Sequence, residues 1–486
     1  MQPAIDRLWA ALVAHGERTA LRQGALSLSY AALRREAEER AGQLEALGAR
    51  RVALALDNGP EWVLWDLALL RAGKVCVPLP GFFSPGQRRH VLDSAGIDTL
   101  IGAADETTRA LGFEERQPGL WQRDPGEVAA LPTGSLKITY TSGTTGQPKG
   151  VCLDAEVQLR VAESLWQASR SREVERHLCI LPLAVLLENI AGIYAPLLAG
   201  AEIDLPSLTD VGIKGGSGLD LPRFLTMLAQ SRPHSLILLP QLLLALVTAA
   251  ERGMPLPDSL RFVAVGGGRV AEQLLQRADA LGLPVFEGYG LSECASVVCL
   301  NTPEARRIGT VGKPLAHLQV RLSEEGEVLV HGARMLGYLG EPAPQDEWLA
   351  TGDLGHFDDG FLVLHGRRKH QFITAYGRNV NPEWVEAELV QQLPIAQAWL
   401  HGEALAENIA VLVPRFPSCS DAELAEAVQA ANRSLPDYAR VHRWLRAEHP
   451  FNEANGLATA NGRLRRAALL HHYQSAFAAL SPEDRP

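Results

Sequence analysis

The feature that most restricts this chain is the alternation of short apolar runs with segments of helical period. The run Arg51-Val-Ala-Leu-Ala-Leu56 has the length and content of a buried strand. It follows a stretch, residues 30–47, in which Leu33, Ala37, Ala41, Leu44 and Leu47 recur at helical spacing. Residues 179–183, 235–239, 261–265 and 284–286 read as further core strands separated by helical segments. Strands buried between helices imply a layered α/β architecture. From about Gly309 the texture changes. Residues 326–330 and 360–364 are strand-like pieces bounded by Gly and Asp, so a β-rich unit is expected there. The basic stretch Gly366-Arg-Arg-Lys-His370 follows. Beyond it lie a strand-like run (408–413), a helix-like run (421–435) and a basic helical end. The expected division is therefore 1–367, a large domain of layered α/β subdomains plus a β-rich subdomain, and 368–486, a small α+β domain.

At 486 residues the chain exceeds what one hydrophobic core usually serves, which agrees with more than one domain. The formal net charge of -10, with no long run of one sign, argues against nucleic acid or an anionic membrane as the main partner. The six cysteines include no pair at CxxC spacing and read as reduced, buried small hydrophobes. The apolar run 8–14, flanked by Asp6, Arg7, His15 and Glu17, reads as a first helix and not a signal peptide. Stretches such as 190–198 are too short to span a bilayer. A cytoplasmic protein with no transmembrane segment is expected.

The segment richest in chemistry is Tyr140-Thr-Ser-Gly-Thr-Thr-Gly-Gln-Pro-Lys-Gly150. Its glycines allow close backbone approach, its N–H groups and hydroxyls can surround phosphate oxygens, and Lys149 supplies positive charge. It is not a Walker loop, because Pro148 precedes the lysine and Gly150 follows it. Further along stand Gly266-Gly-Gly-Arg-Val270, Glu287-Gly-Tyr-Gly-Leu-Ser-Glu293, Thr351-Gly-Asp353, Gly366-Arg-Arg-Lys369, Gly377-Arg-Asn-Val-Asn-Pro382 and Asn455-Gly-Leu-Ala-Thr-Ala-Asn-Gly-Arg-Leu-Arg465. Taken singly, each has a bland alternative as a turn or a solvated surface group.

Together, and in this order, these segments resemble the adenylate-forming enzymes: acyl-CoA synthetases, adenylation domains and luciferases. The match runs from roughly residue 28 to 474. The resemblance implies a large domain with a small mobile C-terminal one, and substrates ATP and a carboxylic acid, with Mg²⁺ as cofactor and CoA as acceptor. It places ATP against Thr141, Ser142, Gly143, Thr144, Thr145, Gly146 and Lys149. Gly267, Gly268, Glu287, Gly288, Tyr289, Gly290 and Ser292 would line the same site. By resemblance Tyr289 stacks on adenine, Ser292 contacts a phosphate, Asp353 accepts from the ribose hydroxyls, Arg367 reaches ribose or phosphate, and Lys369 is the hinge. Glu293 would hold the metal ion, and Lys149, Glu293 and Arg463 would be catalytic. Arg463 is a departure, since the family carries lysine there, and an arginine fork is not interchangeable with an ammonium.

For the acid, residues 183–187 are all apolar, so a substrate ammonium would find no partner there. Val185, Leu239 and Gly266 are expected in the acyl pocket. Glu188 and Asn189 read as scaffold, and Val185 stands where many long-chain relatives have histidine. The tail segments 435–441 and 455–459 are closest to long-chain fatty acyl-CoA synthetases, which favours a medium- or long-chain acid. Two alternatives stay open: a ligase that loads an acyl carrier protein, and a non-catalytic acyl-nucleotide-binding protein.

Overall fold

The computed structural model describes residues 2–141, 148–214, 218–459 and 462–480. Two large sheets dominate the part before residue 367. One has eight strands, with Lys149–Leu153, Lys137–Thr141, Val75–Pro78, Arg51–Ala55 and Thr99–Gly102 at its centre. The other has nine, with Val285–Tyr289, Phe262–Val265, Ser235–Leu238, Arg176–Leu178 and Glu202–Asp204 side by side and parallel. Several of these central strands, Arg51–Ala55, Ser235–Leu238 and Phe262–Val265 among them, are mostly Val, Ile, Leu and Ala, as sheets covered on both faces require.

The helices between the strands explain that covering. Helix Pro60–Arg71 is buried along almost its entire length, from Trp62 to Leu70, so no solvated face is left to it. Helix Tyr30–Ala46 buries one stripe, Tyr30, Leu33, Ala37, Ala41 and Leu44, under an N-cap in which Ser29 accepts from the Ala32 N–H. One continuous core joins these helices with Ala155–Ser169 and with residues of both sheets. A second core lies among Phe224, Leu236, Leu243, Val263 and Leu274 on the nine-stranded sheet.

The mixed α/β architecture thus agrees with the sequence reading. One strand differs. The strand is Arg176–Leu178; Cys179 still donates its N–H to the Asp204 carbonyl at 3.0 Å, and residues 180–183 lie outside any strand. Past it the backbone turns to a side chain: Asn58 donates to the Leu181 carbonyl at 2.8 Å and accepts from the Leu183 N–H at 2.8 Å. The periodicity of an apolar run cannot reveal that an asparagine has replaced a neighbouring strand. Glu188 and Asn189 open a π-helix, Glu188–Tyr194, and are fully buried. Asn189 joins Asp66, Lys137 and Tyr194 in a buried polar network, with Lys137 Nζ 2.9 Å from Asp66 Oδ1.

The later part is β-rich and antiparallel, as its texture implies: Gln319–Leu322, Glu327–His331, Leu349–Asp358 and Phe361–Arg367 form one four-stranded sheet. After it come a three-stranded sheet of Ile395–His401, Asn408–Pro414 and Val441–Arg446 and the helices Pro382–Val390, Asp421–Asn432 and Arg466–Leu480. Ser420 and Glu423 form a capping box at the second helix. This unit has its own core around Val385, Leu400, Leu412 and Leu424. All six cysteines are free and buried. No helix among the described residues is long and apolar enough to cross a membrane.

Candidate active site

In an open parallel sheet, ligands gather outside the carboxyl ends of the strands, where loops fan out and backbone N–H groups are unpaired. The sequence-predicted residues collect at such ends. Strand Phe262–Val265 delivers Gly266, Gly267 and Gly268; strand Val285–Tyr289 delivers Gly290, Ser292 and Glu293; strand Ser235–Leu238 delivers Leu239; strand Lys137–Thr141 leads into residues 142–147. Ser142, Gly143, Thr144, Thr145 and Gly146 lie outside the described residues. Every other sequence-predicted site residue lines one continuous cleft of about 2730 Å³, which the parts before and after residue 367 both border. That volume exceeds a typical single-ligand pocket of ~300–1,000 Å³, so there is room for more than one ligand.

Two glycines are dictated by close approach. Gly267 has φ +77°, and a Cβ there would lie 2.9 Å from Leu239 Cδ2. A Cβ on Gly290 would run into the Ser296 carbonyl oxygen. Both keep backbone close against the cleft wall.

Asp353 is held from two sides. Strand pairing sets it opposite Arg367, whose Nε is 2.8 Å from Asp353 Oδ1. The Tyr289 hydroxyl donates to Oδ2 at 2.6 Å. Burial raises the Asp353 pKa above the ordinary value, opposed by the Arg367 guanidinium and the Tyr289 bond. Burial, with Asp353 next to it, pushes the Tyr289 phenol well up, so it stays a hydrogen-bond donor.

Glu293 begins a second chain of contacts. Its Oε1 accepts from the Tyr338 hydroxyl at 2.8 Å. Lys149 Nζ lies 5.0 Å from the centre of the Tyr338 ring and 3.0 Å from Glu341 Oε1. Both members of the Lys149–Glu341 pair are about half exposed, so the pair is weak and readily exchanged.

Arg463 reaches the cleft from the loop before helix Arg466–Leu480. Its side chain is open to the cleft yet walled in by protein. That enclosure lowers its pKa, as does Arg367, while Glu293, Glu383 and Asp353 oppose the shift. Lys369 is lowered first by enclosure and then by Arg367, with Glu383 and Asp353 acting the other way. Glu383 is drawn below its ordinary value even though burial disfavours its charge, because His370, Arg466 and Arg367 outweigh it. His370 Nδ1 is 2.6 Å from Glu383 Oε1. Arg466 does not line a solvated helix start; it forms a two-pronged pair with Glu386 at 2.8 and 2.6 Å.

The acyl-pocket candidates Val185, Leu239 and Gly266 line the same cleft. Val185 is 37 % exposed, pointing into space and not into core. The run 237–246 serves both: Leu242, Leu243, Leu244 and Leu246 are all buried in the core, and Leu239, Leu242 and Leu244 also border the cleft.

Several cleft residues escaped the sequence reading. Arg269 bonds the Leu364 carbonyl at 3.1 Å and lies 5.9 Å from the centre of the Trp384 ring, across the boundary. Its neighbour Glu287, which the sequence did single out, is buried, and burial lifts its pKa to about 8 despite Arg269. Tyr338 and Glu383 had no motif to announce them, nor did Glu341, which pairs with the cleft residue Lys149. Only Arg269 carried a signal, as the fourth residue of a glycine-rich turn.

Comparison with known proteins follows the same lines. The model of the AMP-binding enzyme family matches residues 8–339, and that of the AMP-binding enzyme C-terminal domain matches residues 369–481. The chain is similar to a 2-succinylbenzoate–CoA ligase of Enterococcus faecalis, 28 % identical over 90 % of this chain and 91 % of the relative. It is also similar to a long-chain-fatty-acid–CoA ligase of Mycobacterium bovis, 26 % identical over 82 % of this chain and 80 % of the relative. An anthranilate CoA ligase solved with anthranoyl-AMP shares the fold, at a TM-score of 0.80 and 20 % identity over 98 % of both chains. So does the O-succinylbenzoate CoA synthetase of Bacillus subtilis solved with ATP and magnesium, at a TM-score of 0.76 and 23 % identity over 94 % of this chain and 98 % of the other. The chain belongs to the AMP-binding enzyme family and is an adenylate-forming acid–thiol ligase.

Proposed function

We propose that this enzyme activates a medium- or long-chain, largely apolar carboxylic acid with ATP, and passes the acyl group from acyl-AMP to CoA. The observation that carries the reading is a single cleft lined both by Asp353, Glu293, Arg367 and Arg463 and by apolar side chains such as Val185, Leu239 and Leu242. A triphosphate and an acid need those two environments side by side.

In this reading Tyr289 offers its ring face to adenine and Asp353 takes the ribose hydroxyls, exchanging bonds it now makes to Tyr289 and Arg367. The acid lies against Val185, Leu239 and Gly266, with its carboxylate toward the nucleotide. The carboxylate oxygen attacks the α-phosphorus and pyrophosphate leaves. Lys149, released from Glu341, and Arg463 neutralise charge that builds on the phosphate oxygens. Residues 142–146 supply the phosphate cradle, and Gly267, Gly268, Gly288, Gly290 and Ser292 shape its wall. Glu293 suits a hard cation: one carboxylate oxygen takes the Tyr338 hydroxyl and the second is left for a metal. Bound there, Mg²⁺ would supply charge neutralisation for the phosphates.

We place the domain division at 367/368, with Lys369 the hinge. After adenylation the small domain turns, the CoA thiol attacks the acyl carbonyl, and AMP leaves. The names of the relatives point to an aromatic acid as well as to a fatty one. The deciding experiment is AMP release from a panel of straight-chain and aromatic acids, with CoA, with carrier protein and with neither. Turnover of straight-chain acids with CoA is expected. Turnover of aromatic acids alone would reject the fatty-acid reading, and turnover with carrier protein alone would reject CoA.

A further inference from the structure

Three side chains of metal-binding type meet in the interior. His177 and Cys179 come from strand Arg176–Leu178 and the residue just past it; Glu188 opens the π-helix Glu188–Tyr194. Their exposures are 3, 0 and 0 %. The ligand atoms all lie within 4.8 Å of one another, and His177 Nε2 is 3.4 Å from Glu188 Oε1.

Three independent features point at the space between them. Glu188 Oε2 is buried with no N–H or O–H donor on it, and the Cys179 thiol is placed to bond this carboxylate, an arrangement a cation can replace. The His177 ring is oriented from behind, with Nδ1 2.8 Å from Ser235 Oγ, so Nε2 is the nitrogen presented inward. Gly192 leaves room: a Cβ there would stand 2.7 Å from Glu188 Oε1 and 2.9 Å from His177 Nε2. The π-helix matters to the last point. Widened turns of this kind shift register and gather at functional sites. Here Glu188 and Gly192 face the same strand, and the Gly192 carbonyl oxygen comes within 3.6 Å of Cys179 Sγ.

We propose that His177, Cys179 and Glu188 form a buried site for a zinc-type divalent cation that ties the π-helix to the parallel sheet. The donor set is one imidazole nitrogen, one thiolate and one carboxylate, the mixture that borderline cations favour. Charge balances: the cation displaces the Cys179 proton to solvent, and two negative ligands cancel its two positive charges in a dry interior. Ligands at ~2.0–2.3 Å around a tetrahedral ion stand roughly 3.3–3.8 Å apart. The histidine–glutamate spacing already meets this, and rotamer adjustment closes the remainder. The Gly192 carbonyl or a water completes the shell. Neither Lys149 nor Glu293 takes part, although His177 also borders the cleft.

The test is elemental analysis of the whole purified enzyme, produced with zinc supplementation and dialysed against metal-free buffer. About one zinc per chain is expected. Cys179→Ser should lower it at least tenfold while keeping the wild-type circular dichroism. Cobalt exchanged into the wild-type protein should show a thiolate-to-cobalt charge-transfer band in the near ultraviolet, absent in Cys179→Ser. Less than a tenth of an equivalent of any transition metal in the wild type would overturn the site. So would a cobalt spectrum without that band, or one unchanged by Cys179→Ser; the triad would then be a hydrogen-bonded core cluster.

Discussion

Replacing Asp353 by Asn separates a binding role from a structural one. The amide keeps the size of the carboxylate and can still accept from Tyr289, now at 2.6 Å, but it presents an N–H₂ or a neutral oxygen to Arg367. The Arg367 side chain is 38 % exposed, so losing this ion pair should cost no more than ~1 kcal/mol of stability, and the melting temperature should fall by at most ~2–4 °C. The nucleotide loses more. Asp353 gives up existing partners to take the ribose, so the net loss on substitution is that of about one charged hydrogen bond, ~1.5–3 kcal/mol. At ~1.4 kcal/mol per factor of ten, kcat/KM for ATP should fall ~10–150-fold. The assay is acid-dependent pyrophosphate exchange over a range of ATP concentrations, repeated with 2′-deoxy-ATP. The wild type should discriminate against the deoxy nucleotide and Asp353→Asn should discriminate much less, because the hydroxyl and the carboxylate then count once. Equal discrimination by both enzymes, or a loss matched by a fall of ten degrees or more in melting temperature, would refute the ribose assignment.

Other outcomes follow from the same structure. Arg463→Ala should slow adenylation ~10–150-fold, the worth of one charged contact, while Arg463→Lys, which restores the residue the family carries, should raise the rate of single-turnover acyl-AMP formation; an unchanged rate would place Arg463 outside that step. Lys369→Pro should spare acyl-AMP formation and stop thioester formation; equal loss of both half-reactions would remove Lys369 from the hinge. Glu287, with its pKa raised to about 8, stays protonated in the fold at pH values where the unfolded chain has lost that proton. Between about pH 4.5 and 8 the native state binds more protons at this group, so its contribution to stability falls as pH rises through that window. Glu287→Gln should flatten that slope in urea melts at pH 5 and pH 8. Lys137→Met leaves the Asp66 carboxylate buried beside Tyr194 and Asn189 without its cation, and should cost ~3–5 kcal/mol; pairing it with Asp66→Leu should recover part of the loss in the same melts.

The sequence by itself determined the family and the order of the site segments. Glycines at 266–268 and 290, the acids at 293 and 353 and the lysine at 149 are local demands of backbone clearance and charge, and local demands are written in adjacent residues. Helix and strand positions were legible for the same reason, since Leu33, Ala37, Ala41 and Leu44 must share a face to be buried together. The tertiary structure decided what depends on distant partners. Asn58 ends a strand that the apolar run 179–183 continues on paper. Tyr338 and Glu341 meet Glu293 and Lys149 only because strand Gly337–Tyr338 pairs with Lys149–Leu153. Glu287 becomes a weak acid, and His177, Cys179 and Glu188 become neighbours, through desolvation and packing that no short window of sequence contains.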